Sequence, residues 1–74
     1  MNMPQQHLDF AIRGEHITLD ALLKATALAN SGGQAKMMIA DGLVRVDGAV
    51  ETRKTCKIRP GQTVETAEAV IRLG

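Results

Sequence analysis

A chain of 74 residues has room for one small domain, and folding at this size buries only about 60% of the surface that the unfolded chain exposes. Apolar residues make up 45% of it, but Phe10 is the sole aromatic, so the core must be aliphatic and a base-stacking platform for single strands is disfavoured. Net charge is +1, no apolar run approaches the roughly 18 residues of a membrane helix, Cys56 has no disulfide partner, and Met1 to Gln6 lacks the basic and apolar regions of a signal peptide, so a cytoplasmic, reducing location without membrane contact is expected.

Taken in order, the chain begins with a polar stretch, MNMPQQ, that reads as a disordered tail over residues 1–6. Leu8, Phe10 and Ile12 then alternate with Asp9, Ala11 and Arg13, the pattern of a strand with one buried face. Gly14-Glu15 reads as a turn. Thr18 is placed as an N-cap with Asp20 in the first turn, where negative charge suits the helix dipole. Leu19, Leu22, Leu23 and Ala27 keep helical spacing, which predicts a first helix from Thr18 to about Ala29, with Asn30 as its stop.

Ser31 and Gln34 stand in the Ser-x-x-Gln spacing of a capping box, in which the serine accepts from a first-turn amide and the glutamine reaches back. A second helix is predicted over 33–41, burying Ala35, Met38 and Ile39 on one face and leaving Lys36 exposed. Only a few residues separate the two helices, so they form a tight αα unit. Gly42 supplies the left-handed conformation that ends a helix. Val44-Arg45-Val46 alternates into Asp47-Gly48, a strong hairpin signal, and Ala49-Val50 is the return strand. A polar connection, Glu51 to Lys57, leads to Ile58, a Pro60-Gly61 turn, a short strand at Thr63-Val64-Glu65 and a closing strand at 70–73 that pairs with the first. The elements describe an α+β fold, two helices on a small antiparallel sheet with a β-hairpin, whose core includes Leu19, Leu22, Leu23, Ala35, Met38, Ile39, Val44, Val46 and Val64.

Charge is unevenly distributed. From Lys36 to Arg59 six basic residues (Lys36, Arg45, Arg53, Lys54, Lys57, Arg59) face three acidic ones (Asp41, Asp47, Glu51), leaving an acidic balance elsewhere. Such an excess is the footprint of a nucleic-acid site, and equally of a solvated face. Catalysis has little to stand on. His7 and His16 lack neighbours that would make a metal pair or a Cys-His couple, and no paired carboxylates, phosphate-binding loop or nucleophile elbow occurs, so no enzyme, metal or cofactor is expected. Cys56 lies in the basic run, which would favour its thiolate, although a half-buried packing role suits so small a residue as well.

The ordered pattern Leu19-Asp20-x-Leu22-Leu23-Lys24, Ser31-x-x-Gln34-Ala35-Lys36, Ile39-x-x-Gly42-x-Val44-x-Val46-Asp47-Gly48, Arg53-Lys54 and Pro60-Gly61-Gln62-x-Val64 resembles the S-four RNA-binding domain, named after ribosomal small-subunit protein four. Within that family, Ser31 to Ile58 is similar to the stand-alone bacterial proteins of the YbcJ type. The resemblance covers residues 18–64 and implies a single domain over residues 1–74, the S-four or αL-motif fold, which grips structured RNA through the second helix and the hairpin. Ribosomal and transfer RNA are both compatible with it. Many members carry a Ser-Arg pair at the start of the second helix; Gly32 in the arginine's place removes a phosphate contact, so the RNA partners of the ribosomal and pseudouridine-synthase versions do not simply carry over. Where the family hairpin often turns on Asn-Gly, Asp47-Gly48 is an equivalent choice for the turn.

The RNA-contacting set expected from the resemblance and the charges is Lys36, Arg45, Arg53, Lys54 and Lys57, with the Gly32 and Gly33 amides at its edge and a hydrogen bond from Gln34. A non-catalytic, monomeric RNA-binding module follows. The alternative is a protein-interaction adaptor whose basic strip docks an acidic partner.

Overall fold

The computed structural model describes residues 5–74, and the elements run β1 (Gln6–Phe10), β2 (Ile17–Thr18), α1 (Leu19–Ala25), α2 (Gly32–Ala40), β3 (Arg45–Val46), β4 (Ala49–Val50), β5 (Lys57–Ile58), β6 (Thr63–Glu65) and β7 (Ala69–Leu73). Five strands form one sheet in the order β1-β7-β6-β3-β4, and β2 pairs with β5 in a separate two-stranded ladder. The α+β architecture agrees with the sequence reading. The sheet, however, is mixed: β7 pairs with β6, β6 with β3 and β3 with β4 antiparallel, while β1 lies parallel to β7 with Leu8 opposite Ile71 and Phe10 opposite Leu73. The first and last strands are joined through both helices rather than by a hairpin, which permits the parallel direction.

Residues 1–4 of the tail lie outside the described residues. Gln5 and Gln6 do not belong to a tail. The Gln5 side-chain amide donates to Glu65 Oε2 at 2.9 Å and to the Thr66 carbonyl at 2.7 Å, and Gln6 opens β1, two residues before the expected start of the strand.

Leu19, Leu22 and Leu23 from α1, Ala35 and Ile39 from α2, Val44, and Ile58, Val64, Ile71 and Leu73 from the strands make one buried aliphatic cluster. Each fully buried leucine or isoleucine contributes roughly 1.5–3 kcal/mol. Met38 and Val46, expected in this core, are half-buried at its margin, and Phe10 also packs there only partly covered.

Helix α1 ends at Ala25, short of the predicted Ala29. The Thr26 hydroxyl donates to the Leu22 carbonyl at 2.9 Å, and Ala27 takes φ +62°, which turns the backbone out of the helix before Asn30 is reached. Helix α2 ends where its glycine predicts: Gly42 has φ +76°, its N–H donates to the Ile39 carbonyl and the Leu43 N–H to that of Met38, the paired bonds of a Schellman motif.

Candidate nucleic-acid interface

At the start of α2, Ser31 Oγ accepts from the Gln34 N–H at 3.1 Å, as the capping box predicts. Gln34 reaches back one residue further than expected, its Oε1 accepting from the Asn30 N–H. Gly32 and Gly33 occupy the first turn, where amides have no partner within the helix. A Cβ at Gly32 would meet nothing within 4 Å, and at Gly33 only Ser31 Oγ at 3.9 Å. Neither glycine has a positive φ, so neither backbone strain nor packing inside the chain demands one there. Lys36 projects from the next turn and is exposed.

The hairpin carries Arg45 on its exposed face, opposite Val50 on β4 and Glu65 on β6. Asp47 (φ +50°) and Gly48 (φ +87°) both take the positive φ that a two-residue turn of this kind needs. Asp47 does more than turn the chain. Its Oδ1 accepts from the Thr63 N–H at 2.9 Å and its Oδ2 from Gln62 Nε2 at 3.0 Å, which ties the hairpin to the start of β6 and holds the carboxyl below its usual range. Asparagine would match the turn but offer a single acceptor oxygen, so the two residues are equivalent for the turn alone.

After β4 the chain is fastened by a bidentate ion pair. Glu51 Oε1 accepts from Arg53 Nη2 at 2.9 Å, and Oε2 accepts from Arg53 Nε at 3.0 Å and from the Arg53 main-chain N–H at 2.9 Å. These bonds from Arg53 lower the Glu51 pKa to about 2. The following residues close the start of α1: the Cys56 carbonyl accepts from the Leu19 N–H at 2.9 Å and the Lys54 carbonyl from the Asp20 N–H at 3.1 Å. The Thr18 side chain, at the expected N-cap position, makes no capping hydrogen bond. Backbone carbonyls from a distant loop have taken over its task.

Lys57 lies on β5, paired with Thr18 on β2, while Lys54 is exposed in the loop before it. Arg53, Thr55, Cys56, Lys57 and Arg59 line an open depression of about 440 Å³. Arg59 was absent from the expected set although the sequence carried its signal. Lys57 and Arg59 flank the buried Ile58, and period-two alternation sends both to the outer face. Arg45 lines a different depression, with Gln5, Gly42, Leu43, Glu65, Thr66 and Ala67. Arg53, Lys57 and Arg59 are thus grouped, Lys54 lies outside this lining, Arg45 belongs to a different hollow, and Lys36 stands on α2.

Cys56 is half-buried, with Arg53 Nη2 at 3.6 Å from its sulfur. Burial first, and then the Glu51 carboxylate, push its pKa up, so the basic run does not produce a thiolate. Among the described residues no group of three or more His, Cys, Asp or Glu side chains could hold a metal ion. No helix of the described residues is long and apolar enough to cross a membrane. One feature of the surface had no counterpart in the sequence reading: Met37, Leu43 and Val50 are 67%, 58% and 55% exposed. The Schellman turn brings Leu43 back toward the last turns of α2, and Val50 Cγ1 lies 3.7 Å from the position of a Cβ at Gly42.

The S4 domain family model matches residues 10–73 of this chain, which takes in both helices, the hairpin and the loop that carries the grouped cations. The chain belongs to the S4 domain family. Among S4 relatives, the Escherichia coli (strain K12) protein named "Putative RNA-binding protein YbcJ" is 60% identical over 52 residues, spanning 70% of this chain and 74% of its own length. A Shigella flexneri protein of the same name, there called uncharacterized, matches equally. The solution structure of YbcJ from E. coli, described as revealing an αL motif involved in RNA binding, superposes with a TM-score of 0.65 at 44% identity, covering 96% of this chain and 89% of that one. The S4 chain described here therefore has the αL-motif fold.

Proposed function

We propose that this chain is a non-catalytic RNA-binding module that contacts structured RNA mainly through phosphates, using the exposed cations Lys36, Arg45, Lys54 and Lys57, with Arg53 beside them in its pair with Glu51. The observation that carries the reading is the depression walled by cations from the loop and β5. It supports phosphate and sugar contacts, which position an RNA but read little sequence. Phe10, half-buried in β1, is the single aromatic of the sequence, so no platform for stacking successive bases can be built. The relative described as an RNA-binding protein supports the same conclusion.

Gly32 and Gly33 fit this reading as points of close approach, where backbone amides at a helix N-terminus meet a phosphate. Gln34, committed to the Asn30 amide, would add its side-chain NH2 group. Gly32→Ala should stabilise the fold by about 0.4–1 kcal/mol, because its backbone and surroundings accept a methyl group. The same methyl should weaken RNA binding. A gain in stability with unchanged RNA affinity would remove the glycine pair from the interface.

Competition between an RNA stem-loop and poly-uridine of equal length tests the reading as a whole. The stem-loop should compete better, and equal or tighter binding to poly-uridine would refute the proposal. The exposed Met37, Leu43 and Val50 favour a second reading, an adaptor whose basic strip docks an acidic partner that also covers apolar side chains. That complex should survive excess polyanion, which would displace an RNA-type contact.

A further inference from the structure

Arg53 stands apart from the other cations of its loop. A guanidinium recognises a phosphate best through two parallel N–H bonds from one edge. In Arg53 the Nε and Nη2 edge is already held by the Glu51 carboxylate at 3.0 and 2.9 Å, and Nη2 also lies 3.6 Å from Cys56 Sγ, so that of a side chain 75% exposed only Nη1 keeps both its N–H groups for a further acceptor. Displacing the carboxylate would strand a Glu51 side chain only 17% exposed, holding just the Arg53 main-chain N–H. The pair carries no net charge, so it contributes little to the release of counterions that drives phosphate binding.

Lys57 and Arg59 differ in both respects. They line the same depression, both are exposed, and neither forms an ion pair among the described residues. Their backbones are fixed: Lys57 is in register with Thr18 on β2, and the Arg59 N–H donates to Gln62 Oε1 at 2.8 Å. On the RNA-binding reading above, we infer that Lys57 and Arg59 make the phosphate contacts of this depression, and that Arg53, its charge paired with Glu51, is a positioning residue. The clamp fixes the turn from which the Lys54 and Cys56 carbonyls cap α1, and so sets the loop against the helix and β5.

The test is the affinity of a fluorescently labelled RNA stem-loop measured across a salt series. Arg59→Gln and Lys57→Gln should each weaken binding and flatten the salt slope by about 0.7 to 0.9. The double variant Glu51→Gln with Arg53→Gln removes both partners at constant net charge and should keep the parent's affinity and slope. The swap Glu51→Arg with Arg53→Glu, which retains the pair, should do the same and covers the case in which the double variant loosens the loop, as followed by circular dichroism melting. A slope loss in the folded double variant or the swap equal to that of Lys57→Gln would return Arg53 to the interface and overturn the inference. An unchanged slope in Arg59→Gln alone would also overturn it, while RNA binding stood. If Lys57→Gln, Arg59→Gln and Lys54→Gln all matched the parent, both the inference and the RNA-binding reading would fall.

Discussion

Helix α2 closes its ends with residues of its own, whereas α1 borrows. The first has Ser31 Oγ on the Gln34 amide and Gly42 in the left-handed region. The second takes its first caps from the Cys56 and Lys54 carbonyls, more than thirty residues along the chain, and ends through Ala27 at φ +62°. The difference bears on function. The leading amides of α1 are consumed by the protein, so that helix has little to offer an anion. Ser31 satisfies only the third amide of α2, and Gly32 and Gly33 keep theirs beside open space.

The largest effect should come from the core that both helices share. Leu23→Ala removes a fully buried side chain of α1 from the cluster that also holds Ala35 and Ile39 of α2. It should cost about 2–5 kcal/mol in chemical denaturation. A variant as stable as the parent would dissolve the common core.

The C-terminal ends come next. Gly42→Ala forces a side chain into φ +76° with Val50 Cγ1 at 3.7 Å, and should lose about 1–2 kcal/mol. Ala27→Gly should move the other way, gaining up to about 1 kcal/mol, as relief of the left-handed penalty is partly offset by glycine's greater freedom when unfolded. Loss of stability in both variants would mean that the two ends are not alternative solutions to one problem.

At the N-terminal ends, Ser31→Ala should cost about 1 kcal/mol. Thr18→Ala should stay within about 0.5 kcal/mol, since its hydroxyl caps nothing. Equal costs would break the contrast between a cap made locally and one made at a distance.

The smallest effect is a response to acid. Glu51, lowered from 4.5 to about 2, and Asp47, also lowered, bind fewer protons in the folded than in the unfolded chain. Stability should therefore be complete above about pH 4.5 and fall as the pH drops toward 2. The melting temperature followed by circular dichroism should decline through that window, less steeply in Glu51→Gln. A Glu51→Gln profile identical to the parent's would show that the clamp contributes nothing to the fold.

Features written in neighbouring residues were legible before any coordinates: the Ser31 cap, the Gly42 stop, the Asp47-Gly48 turn and the aliphatic stripes of both helices. What was hidden depends on residues far apart in the chain. The ladder of β2 on β5 follows from Ile17 meeting Ile58, and the parallel direction of β1 from the path between two distant strands. Asp47 looked like any hairpin residue until β6 supplied its partners. Within the candidate site, charge and exposure of Lys36, Arg45, Lys54 and Lys57 were readable. The pairing of Arg53 with Glu51 was not, because a contact across two residues depends on how the loop folds back. Arg59 was within reach, and applying the alternation around Ile58 would have found it.

The central claim, that the chain holds structured RNA by its phosphates through this basic surface, is tested most directly by stem-loop affinity against salt for the parent and for Lys36→Gln, Lys54→Gln and Lys57→Gln, with Arg72→Gln as a control on the exposed face of β7. The parent should lose affinity steeply as salt rises, each of the three should bind more weakly with a slope reduced by somewhat under one, and the control should track the parent. Parental affinity and slope in all three folded variants would contradict the account.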